Sequence, residues 1–136
     1  MPGMSLGLAP QLRAVANFRQ NVGLPVFHAA RINDIATARY AVKEGHVDLI
    51  GMTRAHIADP FIARKLSEGV EKTIRPCVGA TYCSWQGSCI HNPAIGREDI
   101  IPHVVEKTDT PKRVTVVGAG PGGLEAARIA AERGHT

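Results

Sequence analysis

Arg75-Pro76-Cys77-Val78-Gly79-Ala80-Thr81-Tyr82-Cys83, followed closely by Cys89-Ile90-His91-Asn92-Pro93, holds every cysteine of the chain. Upstream of this stretch strand and helix signals alternate, and downstream a proline-bearing linker leads to a glycine-rich turn. Three thiols clustered in a chain with no other cysteine read as ligands for a metal centre. The spacing Cys77-x5-Cys83-x5-Cys89 lacks the C-x2-C pairs of a zinc ribbon. Thiolates suit iron–sulfur clusters as well as zinc, and buried unmetallated cysteines are common, so spacing alone leaves all three readings open.

Working back toward the N-terminus, Met1 to Leu8 forms a leading segment containing Gly and Pro, and Pro10 suits the first turn of a helix. Leu12, Val15, Ala16 and Phe18 give that helix an apolar face through about Gln20. Leu24-Pro25-Val26-Phe27-His28-Ala29 reads as a short buried strand. Asn33 or Asp34 caps a second helix, with Ile35, Ala36, Ala38, Ala41 and Val42 as its stripe and Gly45 as its stop. Val47 to Met52 is a second buried strand. Asp59-Pro60 caps and starts a further helix with Ile62, Ala63 and Leu66 inward and Gly69 at its end. Strand, helix, strand, helix with short connections predicts an α/β fold with a parallel sheet and right-handed crossovers. Such a sheet needs both faces covered, so two strands require neighbours.

Two loops follow these strands: Arg31-Ile32-Asn33-Asp34 after the first and Met52-Thr53-Arg54 after the second. In a (β/α)₈ barrel the ends of the last two strands commonly hold a phosphate, and Arg54 offers a forked cation suited to one. Composition alone favours solvated loop arginines at both places, and reads His28 as a core histidine with its hydrogen bonds satisfied.

On the other side of the cysteines, Thr108 to Pro111 reads as a linker and Arg113 to Val117 as a β-branched strand. Gly118-Ala119-Gly120-Pro121-Gly122-Gly123 then opens a helix through Leu124, Ala126, Ala127, Ile129 and Ala130. A G-x-G-x-x-G run between strand and helix is a dinucleotide fingerprint. Gly118 permits the tight turn, Gly120 lets the backbone approach a pyrophosphate, and Gly123 lets the helix pack closely. The phosphates would sit on the helix N-terminus, where free N–H groups and the helix dipole point. The acidic residue that binds the ribose is expected about 20 residues further on, past Thr136, so these residues do not separate FAD from NAD or NADP.

The 136 residues suffice for one ordinary domain, and 44% hydrophobic with 21% charged residues is the balance of a soluble globular chain. The net charge of +4 comes from dispersed basic residues, with no basic block interleaved with aromatics, which argues against nucleic acid and suits phosphate-bearing ligands. No apolar run reaches the ~18 residues a membrane span needs, and no secretory leader is evident. Clustered cysteines, odd in number and without such a leader, predict a reducing compartment, with the cytoplasm as the default.

Taken together, Ala30 to Asp34, Asp48 to Arg54 and Ile57 to Pro60 resemble the end of an old yellow enzyme-type flavin barrel. Arg75-Pro76-Cys77 with Cys83, Cys89 and Asn92-Pro93, followed by the glycine fingerprint, narrows the resemblance. It points to the branch containing 2,4-dienoyl-CoA reductase, trimethylamine dehydrogenase and N-methyl amine or betaine demethylases, and it runs from about Pro2 to His135. The resemblance implies the C-terminal part of a TIM barrel over 1–70, an iron–sulfur segment and linker over 71–110, and the first βα unit of a Rossmann-like domain over 111–136. It implies FMN held at Arg31, Met52, Thr53 and Arg54, a 4Fe–4S or 3Fe–4S cluster on Cys77, Cys83 and Cys89, and FAD at Gly118, Gly120, Gly122 and Gly123. NAD(P)H is the implied electron donor. A small molecule such as an N-methyl amine or enoyl compound is the implied substrate. Hydride would pass between substrate and flavin, and single electrons through the cluster. No catalytic residue is assigned, and the oligomeric state is left open.

Three departures from the family pattern stand out. The family's C-x-x-C-x-x-C run has Ala80 at its middle place, the gap from Cys83 to Cys89 is short, and barrel strands 1–6 are absent. These leave open a cluster with a non-cysteine fourth ligand, for which His91 is a candidate, a three-iron centre, or no cluster. An inactive fragment and a zinc-binding interaction module are the alternatives to a flavin and iron–sulfur oxidoreductase.

Overall fold

The computed structural model describes residues 3–136, so Met1 and Pro2 of the leading segment, and the start of the resemblance at Pro2, lie outside the described residues. The chain forms two compact units, Met1–Arg97 and Glu98–Thr136.

In the first unit, α1 (Leu12–Arg19) leads to β1 (Phe27–His28), α2 (Ile35–Lys43), β2 (Leu49–Ile50), α3 (Thr53–Ala58) and α4 (Ile62–Ser67). A 3₁₀ turn (Glu71–Thr73) and α5 (Tyr82–Gln86) follow. The two strands pair in parallel, Phe27 opposite Leu49 and His28 opposite Ile50, as the alternation of elements predicts. The ladder is shorter than the apolar runs suggest, because among the described residues each strand has only the other as a partner. Phe27 and Leu49 are accordingly exposed, at 64% and 59%. The core packs Val26, Ala41 and Val47 against Leu12, Val15, Val22 and Ile50, which joins α1 and α2 to the sheet.

Two devices fix this unit. Asp34 is the cap of α2, its carboxylate accepting from the Thr37 N–H at 2.8 Å, where Asn33 was the other choice. Asp48 ties α1 to the sheet: Arg19 donates to it through Nε at 3.0 Å and Nη2 at 2.7 Å, and the Val26 N–H adds a third bond at 2.8 Å. Those bonds, the Arg19 pair first, hold the Asp48 carboxyl down to about 2.

The expected helix start at Asp59-Pro60 is corrected. Asp59 instead ends α3, and α4 starts after Phe61, whose N–H donates to Asp59 Oδ1 at 3.0 Å. The intervening α3 has too few residues to show a period in the sequence.

The second unit holds α6 (Pro121–Glu132), which matches the expected helix, with Pro121 in its first turn. Arg113 to Val117 does not form the expected strand. A strand needs a hydrogen-bonded neighbour, and the pairing here is confined to Thr136, whose N–H donates to Lys112 O at 3.0 Å and whose carbonyl accepts from the Val114 N–H at 2.7 Å. No described helix is long and apolar enough to cross a membrane.

Candidate functional site

The three cysteines, which sequence spacing left ambiguous, come to one small cavity of about 20 Å³. Cys77 precedes a left-handed turn at Gly79, Cys83 lies in the first turn of α5, and Cys89 follows that helix. All three are half-buried free thiols. Ala80 and His91 line the same cavity. Among the described residues no three of His, Cys, Asp or Glu converge tightly enough to hold a single metal ion.

The cysteine loop is fastened to α3 and α4 by buried polar side chains. Asp59, 3% exposed, accepts from the Arg75 N–H at 2.8 Å and from Lys65 Nζ at 2.6 Å. Burial alone would raise its carboxyl, but the Lys65, Arg75 and Phe61 donors outweigh it and hold the group below the ordinary carboxylate value. Asn92, 1% exposed, donates to Ile57 O at 3.0 Å and accepts from the Ala94 N–H at 3.2 Å, which anchors the far side of the loop. Neither residue carried a sequence signal for this role, since their partners lie far away along the chain.

A second cavity of about 510 Å³ opens at the C-terminal end of the two strands. Arg31, Asn33, Thr53 and Arg54 line it. Arg31 adopts a left-handed φ of 53°, and its guanidinium donates through Nε to Gly7 O at 3.0 Å. Arg54 is 9% exposed on α3 and is no solvated loop residue. Met52, grouped with these residues from its sequence position, lines a different and mainly apolar cavity with Ile35, Ala38 and Leu66. Among the described residues, three buried side-chain nitrogens have no hydrogen-bond partner: Arg31 Nη1, Asn33 Nδ2 and His28 Nε2. His28 is therefore not the satisfied core histidine that composition favours. Arg31 and Asn33 line this cavity, and buried donors without partners are costly, so the pair fits an acceptor-rich ligand such as a phosphate.

The two cavities adjoin. Arg54, Ile57 and Cys83 line both. Gly79 closes the contact from the cysteine side: a Cβ there would stand 2.2 Å from Arg31 Nη1 and 3.5 Å from Asn33 Nδ2. A side chain there would push the end of the Arg31 guanidinium aside, and the left-handed φ of 73° independently favours glycine.

In the second unit the fingerprint glycines form the turn expected of them. Gly118 has φ 109°, Gly120 is the N-terminal cap of α6, and Gly122 and Gly123 lie in the first turn. A Cβ on Gly123 would meet Gly118 O at 2.0 Å, so the helix can approach the turn this closely only with glycine at that place.

Residues 7–73 match the NADH:flavin oxidoreductase / NADH oxidase family. The chain is 55% identical over 136 residues to a multifunctional alkene reductase/demethylase of Caballeronia cordobensis, covering 99% of this chain and 20% of that protein. It is 48% identical over 143 residues to an N,N-dimethylglycine/sarcosine dehydrogenase of Chromohalobacter salexigens, covering 99% of this chain and 21% of the relative. Among solved structures, histamine dehydrogenase from Rhizobium sp. 4-9 superposes with a TM-score of 0.87 at 31% identity, over 98% of this chain and 21% of that one. The chain thus spans about one fifth of the length of the curated relatives it matches.

Proposed function

We propose that this chain, whose residues 7–73 match the NADH:flavin oxidoreductase / NADH oxidase family, is the cofactor-bearing junction of a flavin- and iron–sulfur-dependent oxidoreductase. Its two strands form the closing part of an FMN-binding TIM barrel, its cysteine loop holds an iron–sulfur cluster, and its last unit begins a Rossmann-like FAD or NAD(P) domain. The observation that carries this reading is the shared wall: Arg54, Ile57 and Cys83 face both the cavity of the orphan donors and the cavity of the thiols. Two redox groups placed in these cavities would lie side by side.

When bound, the flavin supplies hydride exchange with a small-molecule substrate and the cluster supplies one-electron transfer. The protein's share of the work is to hold and exclude. Arg31 and Arg54, which line the larger cavity, would supply guanidinium charge to an FMN phosphate, and Thr53 would offer a hydroxyl and a backbone N–H. Cys77, Cys83 and Cys89 would give up their thiol protons on ligation, in a cavity that Ile57 lines beside them. Gly118, Gly120, Gly122 and Gly123 keep the N–H groups at the start of α6 open to a pyrophosphate. An amine or an enoyl compound, oxidised or reduced with NAD(P)H as partner, is the substrate class suggested by the demethylase and alkene reductase relatives.

The exposed Phe27 and Leu49 support completion of the sheet by further strands of the same enzyme, since a parallel sheet is covered on both faces. Visible absorption of the purified protein tests the proposal. Flavin bands together with broad brown absorption are expected. A colourless protein that retains zinc would refute it.

A further inference from the structure

On the reading of the larger cavity as a phosphate site, we infer that the cysteine loop is its cover. A flavin phosphate bound at Arg31 and Asn33 holds the loop shut and slows the reaction of its thiols.

Two distant stretches of the chain close on Arg31. Its Nε donates to Gly7 O at 3.0 Å, and its carbonyl accepts from the Ala9 N–H at 3.1 Å. From the other side comes Gly79, where a Cβ would stand 2.2 Å from Arg31 Nη1. Arg31 also holds a left-handed φ of 53°, which a residue with a side chain keeps only where its surroundings impose it. Backbone strain of this kind gathers at ligand clamps.

Asn33 is the second support of the loop. It is 9% exposed, lines the same cavity as Arg31, and has its Nδ2 at 3.5 Å from the place of a Gly79 Cβ. Neither Arg31 Nη1 nor Asn33 Nδ2 has a hydrogen-bond partner. The loop therefore covers two donors and supplies an acceptor to neither, which is an unfavourable surface to sit on. A phosphate in the cavity changes that surface. Its oxygens draw the guanidinium and the carboxamide into charge-assisted bonds and fix the seat under Gly79.

The effect reaches the thiols through the backbone. Gly79 lies between Cys77 and Cys83, and the left-handed residues Gly79 and Thr81 set the bend from which α5 and Cys83 begin. All three thiols are half-buried. Movement of Gly79 off Arg31 would carry Cys77 and Cys83 with it. Linkage makes the coupling reciprocal, so a closed loop also tightens the hold on the phosphate.

The test follows alkylation of the full chain by N-ethylmaleimide in the dark, with metal ions removed by a chelator and each cysteine read separately by mass spectrometry. FMN is compared with riboflavin, which lacks the phosphate, and equilibrium dialysis measures the binding of both. Saturating FMN is expected to slow Cys77 and Cys83 at least about fivefold, the lower end of usual coupling between two sites, while riboflavin leaves the rates unchanged. Arg31→Lys removes the group that Gly79 rests on and is expected to abolish the slowing at saturating FMN. Bound FMN that leaves the thiol rates unchanged or raises them would overturn the inference. Equal slowing by riboflavin, or slowing that persists in Arg31→Lys, would overturn it as well. Absence of FMN binding to the wild-type chain would instead overturn the phosphate reading itself.

Discussion

Replacing Asp59 with alanine is expected to loosen the whole cysteine loop. The buried carboxylate is the meeting point of three donors: the Phe61 N–H at 3.0 Å, Lys65 Nζ at 2.6 Å and the Arg75 N–H at 2.8 Å. Hydrogen bonds to a charged group contribute about 1.5–3 kcal/mol each, but bonds that share one atom are not additive. Lys65 keeps Thr73 O at 2.7 Å as a second partner, so its loss is partial, whereas the two backbone N–H groups lose an acceptor inside the fold. Removing one member of a buried ion pair costs about 3–5 kcal/mol, and the surviving Lys65 contact places this case near 3. For a unit ending at Arg97 that corresponds to a fall in Tm of about 12–24 °C, at roughly 4–8 °C per kcal/mol. Asp59→Asn is expected to lose nearly as much, because a carboxamide has one acceptor oxygen and would turn an NH₂ toward other donors. Thermal unfolding followed by circular dichroism measures both variants. An Asp59→Asn variant within about 1 kcal/mol of wild type would refute the reasoning.

Three further outcomes follow from named contacts. Gly79→Ala places a methyl 2.2 Å from Arg31 Nη1 at a φ of 73°, so it is expected to cost more than the ~1–2 kcal/mol of left-handed strain alone and to lower flavin and iron content together; unchanged content of both would contradict the shared wall. Gly123→Ala drives a methyl to 2.0 Å from Gly118 O and is expected to abolish adenine dinucleotide binding, read by calorimetry, while iron content stays at the wild-type level; wild-type nucleotide affinity in this variant would contradict the fingerprint reading. Asp48 and Asp59 both titrate below the ordinary carboxylate value when folded, so the stability they give is present above the unfolded pKa near ~3.9 and is lost as pH falls below it, for Asp48 through about 2. Tm measured from pH 7 to 2 is expected to fall in that acid window, less steeply in Asp48→Asn, and a flat profile would contradict it.

Much of this organisation is legible in the sequence, and the exceptions have physical causes. The helix capped by Asp34 and the parallel pair follow from local chemistry, because caps, stops and apolar periods act within a few residues. Arg113 to Val117 carries a strong β-branched signal, yet a strand is a pairing, and only Thr136 pairs with this segment. Asp59 has the look of a helix cap before Pro60, and its side chain does accept from Phe61. Its bonds to Lys65 and Arg75 depend on how the chain folds back, which no local pattern encodes. Arg31, Thr53 and Arg54 come together as their places after two parallel strands suggest, while Met52 faces the apolar side because neighbouring residues leave a strand end in different directions. The fit of Gly79 on Arg31 joins residues 48 positions apart, and only the three-dimensional contact exposes it.

Anaerobic titration of the chain with iron and sulfide, read by metal analysis and visible absorption, tests the central claim most directly. About four irons retained per chain with a broad brown spectrum, lost when Cys77, Cys83 and Cys89 are all replaced by alanine, is the result expected of thiolates around one cluster. Equal iron and sulfide on the wild type and that triple variant would show that the three thiols grip nothing, and the account would fail with them.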